Sequence, residues 1–244
     1  MRAASLLPML CLAGVAGCVS ATAVPDADRA QLQRELRGAT RFVRVSLYQS
    51  PFWSDPSRTL LSAAPPSELP APRGAPTPQP TAIVPAGRRV TLIRVSLPTG
   101  PAVAHRPAGT PRAQAWVVLR IAGAPAKAPP AVWVMPGHAQ SREQFLAALS
   151  RVFAVDSPSG LLSTYGDDTR AAIAAKQVLR DMDPAAVTFA WGVPGHRTVN
   201  LAGGTRTEAW TWADGGRTVH FVDGKVTQVQ GQPPALSAPA DGGA

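Results

Sequence analysis

Cys18 closes the run Val15-Ala16-Gly17-Cys18 and is the residue best placed for chemistry. Ahead of it lie the cationic start Met1-Arg2 and an apolar stretch from Ala3 to Val15, too short to span a bilayer. With small residues at the cut, this reads as an exported precursor processed before Cys18, or as an ordinary secretory leader cut near Ala21 or Ala23. No catalytic set accompanies the thiol. The histidines His105, His138, His196 and His220 have no His-x-x-x-His spacing and no free cysteine to join them. Asp167-Asp168 and the pair Asp181/Asp183 suggest a cation site, but acid pairs at helix starts are ordinarily caps. Neither a Gly-x-Ser-x-Gly elbow nor a phosphate-binding glycine loop occurs. The expectation is a protein that is not an enzyme, with no catalytic residue, cofactor or metal.

The segment around Cys18 resembles the lipobox of bacterial lipoproteins. The resemblance implies a leader over residues 1–17, a diacylglycerol on the Cys18 sulfur and usually a third fatty chain, such as palmitate, on the new amino terminus. At about 0.8 kcal/mol per buried methylene, such chains hold a protein to its membrane. Val19 and Ser20 lack the aspartate that commonly retains lipoproteins in the inner membrane, which implies the periplasmic face of the outer membrane.

Cys11 lies in the leader, so the mature chain has no disulfide and depends on apolar burial. Hydrophobic residues make up 45% of the sequence, enough for that. The net charge is +9. Arginines scattered along the chain suit a solvated basic surface, with anionic lipid or peptidoglycan as candidate contacts. Export removes nucleic acid as a partner.

The elements follow from periodicity. Residues 18–39 read as a tether in which Asp28 caps a short helix, Arg29 to Arg37. Arg41 to Tyr48 alternates as a half-buried strand. Ser62 to Pro85 holds eight prolines and reads as an extended or disordered insertion. Strand pattern resumes at Arg89 to Leu97, where the apolar parity slips between Leu92 and Ile93, as a bulge or two-sided burial would cause. Ala115 to Ala122 and Ala131 to Met135 complete a mostly β module over 40–136. The echo of Arg44-Val-Ser-Leu47 in Arg94-Val-Ser-Leu97 reads as coincidence. Ser141 and Gln144 form a capping box before a helical stripe of Phe145, Leu146, Leu149 and Phe153. A second helix is expected from Asp168 or Thr169 to Leu179. Trp116, Trp133, Trp191, Trp210 and Trp212 fall at core positions, which leaves Trp53 as the candidate for stacking on sugar.

From Val178 onward the chain reads Val178-x-x-Asp181-Met182-Asp183, then Val187, Gly192-x-Pro194, Glu208-x-Trp210-x-Trp212 and Phe221-x-Asp223-Gly224-Lys225-Val226. Asp183-Pro184 is a cap followed by proline in the first turn, and Gly192 with Pro194 is a stop. Ala202-Gly203-Gly204, Asp214-Gly215-Gly216 and Asp223-Gly224 are turns between strands. This order resembles the SmpA/OmlA, or BamE-like, lipoprotein domain, although Asp181 stands where that family usually has glycine. The resemblance covers about fifty to seventy residues and implies two helices on an antiparallel sheet. With the mostly β module before it, the expected fold is α+β, with the BamE-like module over 137–230 and a disordered tail over 231–244. It also implies work through protein–protein contacts, with envelope proteins such as the barrel-assembly machine as partners. A cell-wall or polysaccharide binder, and an inhibitor or sensor module, are the alternatives.

Overall fold

The computed structural model describes residues 22–69, 72–212 and 216–236. Cys18, the leader over 1–17, the turn at Asp214-Gly215 and the last part of the tail lie outside the described residues. The fold is mixed α+β with two sheets, one of eight strands and one of four.

Helix α1 (Asp26–Leu36) precedes β1 (Thr40–Val43), β2 (Leu47–Phe52) and β3 (Asp55–Ser62). The single strand expected from Arg41 to Tyr48 is therefore two, bent at Arg44-Val45-Ser46. The bend has a cause: the Arg44 amide donates to the Val152 carbonyl and the Ser46 amide to that of Phe189. Beyond a 3-10 turn (Pro66–Glu68), β4 (Ala82–Val84) and β5 (Arg89–Ser96) make a second bent strand. Thr40 faces Thr91 and Phe42 faces Arg89; past the bend Leu47 faces Val84 and Gln49 faces Ala82. The register is the same on both sides of the bend, so the two bent strands pair before and after it. β3 pairs parallel to β7 (Ala131–Val134), β7 antiparallel to β6 (Trp116–Ile121), and β6 antiparallel to β5. The ladder closes into a five-stranded barrel. Its interior takes Val43, Leu47, Leu61, Val84, Val117 and Trp133. The parity slip in β5 is a bulge between Leu92 and Arg94, which leaves Ile93 exposed and returns Val95 to the interior.

Three expected boundaries move. Leu32 and Leu36 of α1 are buried in the barrel core, so residues 24–36 are structure and not tether. Helix α3 (Arg142–Ser150), capped by Ser141, buries Phe145 and Leu149 in that same core. With β8 (Phe153–Ala154) on the free edge of β1, the first unit runs to residue 154 instead of ending at 136. The proline insertion ends at 81, because Ile83 and Val84 pair into the barrel; its 3-10 turn is ordered by an ion pair described below.

The second unit begins with α4 (Ser159–Leu162) and α5 (Asp167–Ala174). Helix α5 stops well short of the expected Leu179, since Lys176 turns to φ 55°. Helix α6 (Pro184–Trp191) begins as expected, with the Asp183 carboxylate accepting from Ala186 N at 2.7 Å and proline in the first turn. It ends at Gly192, whose φ of 86° and ψ of −173° lie in a region open only to glycine. Strands β9 (His196–Ala202), β10 (Thr205–Trp212), β11 (Arg217–Val222) and β12 (Lys225–Gln230) form an antiparallel meander. Gly203-Gly204 and Asp223-Gly224 are its two-residue turns, with positive φ at all four positions, as the dipeptides demand. Asp181 has φ 65°, a left-handed backbone that glycine adopts without strain. The start of the expected disordered tail is held: Gln232 accepts from Val178 N, and the Pro233 carbonyl from Gln177.

The cap is testable. Asp183 also accepts from the Tyr165 hydroxyl at 3.1 Å, and burial with this carboxylate beside it pushes the phenol up to about 12. Asp183→Ala is expected to lower stability by about 1–2 kcal/mol. The check is a lower denaturant midpoint with an unchanged slope of unfolding free energy against denaturant.

Candidate functional site: an open sheet edge and the junction that holds it

The open edge is β9. All seven of its residues are exposed, and among the described residues it pairs in the sheet with β10 alone. A two-residue turn makes Ala202 and Thr205 a hydrogen-bonded pair, so Leu201, Val199 and Arg197 aim their backbone amides and carbonyls outward. Among the described residues no other backbone takes them up. The side chains of Val199 and Leu201 are 49% and 72% exposed, an apolar pair on the same strand. Such an edge is a template for a further strand.

One buried carboxylate stiffens the hairpin. Glu208 shares the core-facing parity of Trp210 and Trp212 on β10. It accepts from Arg197 Nε at 2.8 Å, from the Trp210 indole at 2.9 Å, and pairs with Arg206 at 2.8 Å. The Arg197 hydrogen bond is the main reason its carboxyl titrates below the usual range. Both of its oxygens are engaged, so Glu208 orders Arg197 and Arg206 on the hairpin.

Behind the sheet, charged groups are buried where the two units meet. Arg217, at the start of β11, donates Nε and Nη2 to the two carboxylate oxygens of Glu68, each at 2.9 Å. Its guanidinium also lies over Trp191 and Trp212, with ring centroids at 5.2 and 5.8 Å. Glu68 belongs to the 3-10 turn of the proline insertion, which is thereby fastened to the second sheet. Lys176 is fully buried and donates Nζ to the Ser46 carbonyl at 2.5 Å and the Ala190 carbonyl at 2.8 Å. Its amine lies 4.8 Å from the Tyr48 ring centre. Burial above all pushes this amine well below its ordinary value, and the Arg217 charge adds to that. Burial likewise pushes the Tyr48 phenol up to about 12. With its donors on two carbonyls, Lys176 ties the bend at Ser46 to the end of α6.

The residues singled out from sequence are distributed otherwise. Cys18 is outside the described residues. His105, His138 and His196 are exposed and apart; His220 is half-buried on the face of β11 away from the core, as its alternation with Val219 and Phe221 requires. Among the described residues no group of three His, Cys, Asp or Glu side chains is placed to hold a metal. Asp167 and Asp168 sit in the first turn of α5, where Asp167 pairs with Arg170. Trp53, the stacking candidate, is half-buried, its ring nearly perpendicular to that of Phe52 at 5.2 Å between centroids. The buried Arg217–Glu68 pair and Lys176 went unread in the sequence. The available signal was parity: Arg217 has the register of Val219 and Phe221, as Glu208 has that of Trp210. No family model, curated protein or solved structure matches this chain.

Proposed function

We propose that this chain is a bacterial lipoprotein, anchored through Cys18 at the periplasmic face of the outer membrane, that works by binding other envelope proteins. The second unit, α5 and α6 with the four-stranded meander, is read as a BamE-like module, and the work as outer-membrane biogenesis, with the barrel-assembly machine as partner. The observation that carries this reading is β9: a long, fully exposed edge strand with an apolar pair beside its unpaired amides. Its occupant is an extended segment of an envelope protein, added as a fifth strand. Main-chain hydrogen bonds would supply affinity, and Val199 and Leu201 would supply side-chain selectivity.

A photo-crosslinker at Leu201 in living cells tests the reading. Adducts with barrel-assembly subunits are expected, and Val199→Pro, which removes one outward amide from an edge strand, should weaken capture about tenfold, or about 1.4 kcal/mol. Adducts that survive Val199→Pro unchanged would exclude the edge. In the same cells, Cys18→Ser should release the exported protein from membranes; a mutant that still pellets with them rules out the anchor.

A further inference from the structure

The end of the barrel that receives the amino terminus differs from the end that carries the second unit. The Thr22 amide donates to the Pro98 carbonyl at 3.0 Å, and Val24 is buried, so the chain is fixed to the fold from Thr22 onward. Four residue steps separate Cys18 from Thr22, a reach of at most about 14 Å. The rim at Pro98 is therefore what a lipid on Cys18 would hold against the bilayer. At the other end of β5, Ala86 packs on the second core, and a Cβ on Gly87 would meet Leu162 of α4. The eight residues of β5 between these ends span roughly 25 Å.

Charge marks the same rim. From Leu69 through Arg142 the sequence holds no aspartate or glutamate, while it holds eight arginines and Lys127. This stretch supplies β4 to β7 and most of the Pro98 rim, which Thr22 and the turn at Ser54 complete. There Arg94 is exposed, and Arg106 donates to the carbonyls of Ser96, Arg112 and Gln114, gathering the end of β5 and the loop before β6 under one buried cation. Arg112 in turn donates to the Val103 carbonyl from α2 (Gly100–His105). The carboxylates that other segments bring near, Asp26 and Asp55, are paired with Arg29 and Arg58, so Arg94 and Arg112 add positive charge to the rim.

We propose that this rim, with Thr22, Pro98, Arg94 and Arg112, rests on a bilayer surface rich in anionic phospholipid, and that the second sheet is carried at the far end of β5. The inference rests on the reading of Cys18 as the lipid-bearing residue. A tether of three residues gives the protein little freedom to tumble, and cations within a Debye length of anionic headgroups fix which side faces down.

The test uses the full chain, processed in bacteria and reconstituted in phosphatidylcholine vesicles with or without a minority of phosphatidylglycerol. A thiol-reactive fluorophore is placed at His138→Cys on the rim loop or at Leu161→Cys on α4, and headgroup-nitroxide lipids serve as quenchers. Quenching is expected to be several-fold greater at 138 than at 161. Equal quenching, or more at 161, overturns the orientation while leaving the anchor intact. Labelling of Cys18 itself in the parent chain shows a free thiol and overturns the anchor and the proposal together. In the unacylated Cys18→Ser chain, Arg94→Glu should lower affinity for phosphatidylglycerol vesicles at least about fivefold. Undiminished binding also counts against the rim.

Discussion

Arg217→Ala is expected to lower the free energy of unfolding by about 3 kcal/mol, the low end of the range for breaking a buried ion pair. The guanidinium is 4% exposed and its carboxylate partner 21% exposed, so Glu68 can regain some water once its partner is gone. The loss has three parts: two charge-assisted hydrogen bonds at 2.9 Å, stacking on Trp191 and Trp212, and the cavity left among them. Arg217→Lys should rescue little, because an ammonium cannot match both carboxylate oxygens or lie flat on indole. Chemical denaturation reads the magnitude. Limited trypsin digestion reads the geometry, since cleavage at Arg73 in the proline insertion should accelerate when the 3-10 turn is unfastened. A loss below about 1 kcal/mol would show that the pair is not what joins the insertion to the sheet.

Why the sequence conceals this pair is itself physical. Arg217 and Glu68 are 149 residues apart, and nothing local to either announces the other. These turns and the α6 cap were legible because their causes are local: Gly203-Gly204, Asp223-Gly224 and Asp183-Pro184 each carry a conformational demand within two or three residues, whereas Asp28, expected as a cap, lies inside α1. The β5 bulge was legible for the same reason, as a break in parity along one strand. Bends and boundaries were not, since they depend on distant carbonyls. Arg44 and Ser46 leave the ladder because Val152 and Phe189 claim their amides. Leu32 and Leu36 look like a short helix on a tether until the barrel core that receives them is assembled. The edge of β9 lies between these cases. Its strand and turn could be read from Thr198 to Gly204, but its being the last strand of the sheet is a property of topology alone.

Lys176 gives the second large effect, and it depends on pH. The Ala190 carbonyl lies in the last turn of α6, and the residue four places on is Pro194, which has no amide to offer it. Lys176 Nζ satisfies that carbonyl and the one at the barrel bend. Lys176→Ala removes both hydrogen bonds and opens a cavity, and should cost about 3–5 kcal/mol; Lys176→Met fills the space and isolates the loss of the polar contacts, about 1–3 kcal/mol. The amine titrates well below 10.5 in the folded chain. Between that lowered value and 10.5 the unfolded chain holds a proton that the native chain does not, so stability rises with pH across the window. The slope approaches about 1.4 kcal/mol per pH unit where the difference is one full proton. Below the folded value both states are protonated, and this contribution no longer changes. Denaturation curves between neutral pH and pH 9, before the tyrosines titrate, should show the rise in the parent chain and a flatter profile in Lys176→Met. Parallel profiles would mean that Lys176 keeps its proton in the folded protein, held between two carbonyls and the Tyr48 ring as a buried cation.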